Sequence, residues 1–179
     1  MASATMHFNS LQRSLANNMF QHAESLAGQY FRMSLEEIKK YRYDVKTLAY
    51  LDEHEVKDGA FAHLCRYHYK KDEGANRSDD FYFYRVCLQD NRILDAVERG
   101  QSFIKLNPLL LYIAAHELVH IIRFEAREID FDASLEDKER EEDKVHAITK
   151  DVLQSCISPD IRLILDCFSN RYKIGDLFN

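Results

Sequence analysis

The sequence predicts an α+β fold: a small antiparallel sheet packed with several helices around one central helix that is apolar all round. Three observations carry this. Glycine and proline are scarce, five and two in 179 residues, which disfavours all-β architectures and long loops. Several segments place apolar residues every three or four positions, and two aromatic-rich runs flank a polar stretch in the manner of a hairpin. Finally, Leu106 to Ala115 contains no charged residue, so a helix there has no polar face for water and belongs inside.

A chain of this length is expected to make a single domain, 1–179. Its parts are an N-terminal helical segment (1–56), the sheet (61–106), a pair of helices (107–157), and a C-terminal helix and tail (158–179). The net charge of −6 and pI near 5.7 argue against a nucleic-acid surface as the working face, so no nucleic-acid partner is expected. For the same reason a nucleic-acid-associated regulator built on residues 10–54 is disfavoured. Neither a signal-peptide pattern nor a bilayer-length apolar run is present, so the expectation is a cytoplasmic chain without membrane contact. The four cysteines, Cys65, Cys87, Cys156 and Cys167, form no CxxC pair and read as reduced core thiols.

Residues 1–8 are expected to be a loose start. From Ser10 the stripe Leu11, Leu15, Met19, His22, Leu26 and Tyr30 marks an amphipathic helix, with His22 a packed core histidine. Ser34-Leu-Glu-Glu37 is a capping box. The helix it starts should turn Ile38, Tyr41, Val45 and Leu48 inward and end near His54, before the break at Lys57-Asp-Gly59. Residues 61–70 and 81–88 read as a β-hairpin with a long tip at 71–80. His63 and His68, five apart, point to opposite faces of the first strand and cannot share a metal.

Residues 91–99 form a short helix or an extended connector closed by Gly100. Ser102–Leu106 reads as a third strand, leading into a helix capped by Asn107 with Pro108 at its first position. Beyond Phe124 the chain turns polar. Ser134 caps another helix, charged through 136–144 and apolar through 145–157, its early acids favoured by the helix dipole. A last helix follows Pro159 with Ile161, Leu165 and Phe168 inward, and Ile174–Phe178 is apolar enough to dock back.

The chemistry lies in His116-Glu-Leu-Val-His120, an HExxH pattern set into the buried helix. Residues four apart share a helix face about 6 Å apart, so both imidazoles can aim at one ion. Glu117 lies about 100° round from His116, beside the ion, where it can act on a water as general base. On a solvated helix such a match means little. Here the three residues interrupt an apolar rod, where an unpartnered carboxylate is costly. Two histidines need a third protein ligand to hold Zn2+ with an open position.

Ala126 stands six residues after His120, so a third histidine at the metzincin spacing is excluded. The next helix offers Glu139, Glu141, Glu142 and Asp143. Its apolar stripe is Val145, Ile148, Val152 and Cys156, and stepping back along it lands on Glu141. Asp143 and Glu139 are expected to face water, and Glu142 lies about 60° off the stripe. Glu141 is thus the inward carboxylate. The alternative is Glu142 with His146, four apart on one face, as ligand and supporting partner.

With its second helix Glu139-Arg-Glu-Glu-Asp143, this motif resembles the gluzincin-type zincins. It is similar in particular to the compact ImmA/IrrE-type metallopeptidases, whose second helix carries Glu-x-Glu-Ala-Asn/Asp. The resemblance covers residues 101–153. It implies a zincin-like fold, Glu141 as third ligand and Glu117 as base. The chain departs from the pattern with Glu142 in place of Ala and His146 in place of a small residue. Residues 103–108 are also similar to SprT-like proteins, but the further histidine those need soon after the motif is missing.

The function expected is that of a zinc-dependent metallopeptidase with one Zn2+ per chain and a peptide or protein substrate. The alternative is a metal-binding interaction or regulatory protein with little or no turnover.

Overall fold

The structure, a computed structural model, describes residues 5–70 and 80–169. It is α+β, with six α-helices and one three-stranded sheet among the described residues. No helix there is long and apolar enough to cross a membrane.

Helix α1 (Ser10–Phe31) is closed at its start by a capping box between Asn9 and Gln12. Of the expected line, Leu26 is buried and Leu15 and Met19 are half-buried against the core, while Tyr30 is exposed; among the other deeply buried positions are Ala16, Phe20, Ala23 and Ala27. Leu11 is 78% exposed, and His22 is exposed rather than packed. Alanines make the smoother contact face, and α1 lies along the central helix by that face. Of the start expected to be loose, residues 1–4 lie outside the described residues, and Phe8 is buried, its N–H donating to the Asp90 carboxylate at 2.7 Å.

Helix α2 (Leu35–Lys39) begins at the expected Ser34 capping box, with Glu37 reaching back to the Ser34 N–H at 2.7 Å. It ends fifteen residues sooner than expected. The chain instead forms strand β1 (Tyr43–Lys46), parallel to β3. Tyr41, Tyr43 and Val45 also alternate at period two, and aromatic and β-branched residues suit a strand. Arg85 grips the Asp44 carboxylate with two nitrogens at 3.0 Å, fixing that register.

Strands β2 (Ala62–Tyr69) and β3 (Phe81–Leu88) form the expected antiparallel hairpin, from Ala62↔Leu88 to Tyr69↔Phe81. Most of its expected tip, 71–79, lies outside the described residues, as does the 174–178 segment expected to dock back. The sheet order is β1-β3-β2, so the sheet is mixed rather than purely antiparallel, and β2 is an edge strand.

The third strand is therefore not residues 102–106. That stretch is a turn between α3 (Asp90–Arg99) and α4 (Leu106–Glu125), with Phe103 exposed and Ile104 buried. Gly100 permits the tight reversal: a Cβ there would lie 2.6 Å from Ile104.

The α4 helix is the hub. Helices α1, α3, α5 (Leu135–Val152) and α6 (Pro159–Ser169), and strand β2, all pack on it. Leu109 through Ala115 are buried, as the uncharged run requires. Its first turn starts one residue before the expected cap, with Lys105 in the cap position and Pro108 third. Proline still costs nothing there, because the first four N–H groups of a helix have no intrahelical partner.

Candidate metal centre

His116, Glu117 and His120 sit where one face of α4 meets a cleft of about 630 Å³. Both Glu117 and His120 are 8% exposed. Tyr112, one turn earlier, lies between two imidazoles, its hydroxyl 3.3 Å from His116 Nδ1 and 2.8 Å from His146 Nδ1. Its ring stacks on Phe168 of α6 at 4.2 Å. Tyr112 thus holds His116 so that Nε2 faces the cleft. His120 stacks on Phe124, and its buried Nδ1 has no protein partner.

Helix α5 lies alongside, started by Ser134, whose hydroxyl accepts from the Asp137 N–H at 3.2 Å. Its inward face is Glu141, Val145, Thr149 and Val152, which bears out the inward placement of Glu141, Val145 and Val152, while Ile148 of the expected stripe is half-buried and Thr149 lies deeper. The partner of Glu141 is not the expected one. Arg123 of α4 takes both its oxygens, one through Nη2 at 3.1 Å. Glu141, the residue singled out by the stripe and by the resemblance, lines the same cleft as the histidine pair, but its carboxylate is paired with Arg123 and is not among the donors grouped with His116 and His120.

Glu142 is. Its Oε2 is 3.1 Å from His116 Nε2, and its Oε1 is 3.1 Å from His120 Nε2. The two Nε2 atoms are 3.2 Å apart. The Glu142 side chain is 58% exposed, which matches its position off the buried stripe. It reaches the site sideways, over the rim. His146 is on the same side of α5 and supports His116 through Tyr112, so the alternative pair Glu142 and His146 is the one gathered around the motif.

The electrostatics follow from this packing. Burial pushes the Glu117 carboxyl up to about 7, partly offset by His116 and Lys57 and reinforced by Glu142. Desolvation also pushes Glu142 upward, but its hydrogen bonds to His116 and His120 and their charge hold it well below the usual carboxylate range. A carboxylate ionised against two imidazoles is what a cation site needs.

The donors fit zinc. Nitrogen and oxygen ligands about 2.0–2.2 Å from one tetrahedral ion lie roughly 3.3 Å from each other, and the observed triangle has sides of 3.1, 3.1 and 3.2 Å.

No family model matches the chain, and neither a curated protein nor a solved structure matches it significantly.

Three residues at this site were not singled out from the sequence. Tyr112 is four before His116, on its face, a spacing that signals contact. Arg123 is a cation three residues past His120 near the end of a buried helix, opposite an inward acid. Lys57 lines the cleft and bears on Glu117, and nothing in its local sequence marks it.

Proposed function

We propose that the chain is a zincin-type metallopeptidase holding one Zn2+ through His116, His120 and Glu142. The observation that carries this reading is the convergence of those three donors beside the buried carboxyl of Glu117. Zn2+ in that position supplies Lewis acidity toward a carbonyl oxygen and toward water. Three protein ligands leave a tetrahedral ion one open position, the arrangement of catalytic rather than structural sites.

Glu117 acts as the base. A carboxylate beside a metal-bound water can take its proton and return it to a leaving amine. Tyr112 keeps His116 oriented, and the Arg123–Glu141 pair fixes α5 against α4 so that Glu142 arrives in register. The substrate is an extended polypeptide. Ala62, His63 and Leu64 of the edge strand β2 line the same cleft as His116 and Glu142, and an edge strand binds extended peptides through backbone hydrogen bonds.

The test is cleavage of an unstructured protein by the zinc-loaded chain, with and without a chelator. Cleavage that stops with the chelator and returns with zinc supports the proposal. A fully loaded protein that cleaves no unstructured substrate would overturn the peptidase reading and leave a metal-binding regulatory protein.

A further inference from the structure

The hairpin carries a second group of metal-binding side chains, apart from the HExxH helix. Side chains alternate across a strand. Tyr84, Val86 and Leu88 of β3 join the main core, so Arg85 and Cys87 project from the other face of the sheet. His63 is paired with Cys87 in the register and Cys65 with Arg85, which puts His63, Cys65 and Cys87 side by side on that outer face. One donor atom from each lies within 4.8 Å of the others, and the two sulfurs are 3.9 Å apart. His63 is among the residues lining the large cleft, while Cys65 and Cys87 are not.

We propose that His63, Cys65 and Cys87 form a second metal site, for a thiophilic divalent ion such as Zn2+, with three protein donors drawn from both strands of the hairpin. The distances favour it. Two thiolates about 2.3 Å from a tetrahedral zinc are roughly 3.8 Å apart, and the observed separation is 3.9 Å. A disulfide would need the sulfurs at about 2.05 Å.

The histidine is prepared for the role. His63 Nε2 is 2.6 Å from the main-chain oxygen of Glu55; a carbonyl can only accept, so this bond engages Nε2 and leaves Nδ1 as the nitrogen that would ligate a metal. A metal-binding histidine is held by such a bond on its other nitrogen. The Glu55 oxygen is itself fixed by the Gln89 side chain at 3.2 Å. Two thiolates and an imidazole select zinc over magnesium or calcium.

Binding a metal ion as two thiolates would release the two thiol protons. Arg85 and Glu55 pair beside it at 3.1 Å, so a neutral Zn2+–dithiolate unit adds no net charge to the face.

Cobalt reports on this site separately from the HExxH centre, whose donors contain no sulfur. Reduced, metal-stripped full-length protein is titrated with Co2+. The expected result is two ions per chain with a sulfur-to-cobalt charge-transfer band. Cys65→Ser should remove the band and one ion, and Glu142→Ala should keep the band.

Should Cys65→Ser not fold, the wild type alone suffices: Zn2+ should slow alkylation of Cys65 while leaving Cys156 and Cys167 unchanged. His63→Ala should weaken that protection. No thiolate band in the wild type, a band that survives Cys65→Ser, or alkylation of Cys65 indifferent to zinc would each overturn the proposal. So would Cys65 and Cys87 forming a disulfide in a protein that takes up no thiolate-bound metal after reduction.

Discussion

Arg123 holds both carboxylate oxygens of Glu141, a residue 18 positions away on the neighbouring helix. This ion pair assigns the two adjacent acids of α5 to different tasks. Glu141, buried, ties α5 to α4, and Glu142, on the rim, meets His116 and His120.

The pair is nearly dry, with side chains 15% and 5% exposed. Removing one member of such a pair strands the other, at a cost of about 3 kcal/mol. Glu141→Ala should therefore lower the unfolding free energy in urea by about that amount. Arg123→Ala should do the same, and the double variant should lose less than the sum of the two. Additive losses would mean that the two residues do not depend on each other.

The phase of α5 was legible because an apolar stripe reports which residues are buried. It does not report what satisfies a buried acid. Glu141 reads as inward and is inward, but a cation three residues past His120 serves it as well as a metal would. Glu142 reads as off-stripe and is, yet a glutamate side chain is long enough to reach over a helix rim. The α4 helix, the hairpin and the capping box at Ser34 were legible for a related reason: each is signalled by residues within a few positions of one another. Strand β1 was not, since Tyr41 and Val45 fit either period and its pairing with β3 crosses some forty residues. Nor was the approach of Cys65 to Cys87, which depends on hairpin register rather than on spacing along the chain.

Tyr112→Phe removes one oxygen and leaves the ring stacked on Phe168. If the hydroxyl orients His116, zinc affinity should fall roughly tenfold or more, as when other such supporting bonds are cut, with little change in melting temperature. Unchanged affinity would show that the ring alone positions the histidine.

Glu117→Gln keeps the shape and touches none of the three donors. Zinc content should stay near that of the wild type while cleavage of an unstructured substrate falls at least a hundredfold, the usual scale of a general base. Cleavage that survives the substitution would remove Glu117 from the chemistry.

Glu55 gives a pH signature. It is fully buried and accepts from the Asp52 N–H, the Tyr67 hydroxyl and Arg85 at 2.9, 2.7 and 3.1 Å. Burial raises its carboxyl, but these bonds and the Arg85 charge outweigh it and hold the group at about 2, below its ordinary 4.5. A carboxyl whose pKa is lowered by folding contributes fully above its unfolded value and loses that contribution as pH falls toward its folded value. The stability gap between wild type and Glu55→Gln, about 2 kcal/mol at neutral pH, should therefore narrow from pH 4.5 down to 2. A gap independent of pH would contradict this.

The central claim is that Glu142 completes the site with His116 and His120. Zinc titration of Glu142→Ala beside Glu141→Ala tests it most directly. The expected result is that Glu142→Ala loses most of the affinity of the HExxH centre, while Glu141→Ala binds zinc near the wild-type level despite its lower stability. Loss of zinc in Glu141→Ala with retention in Glu142→Ala would contradict the account.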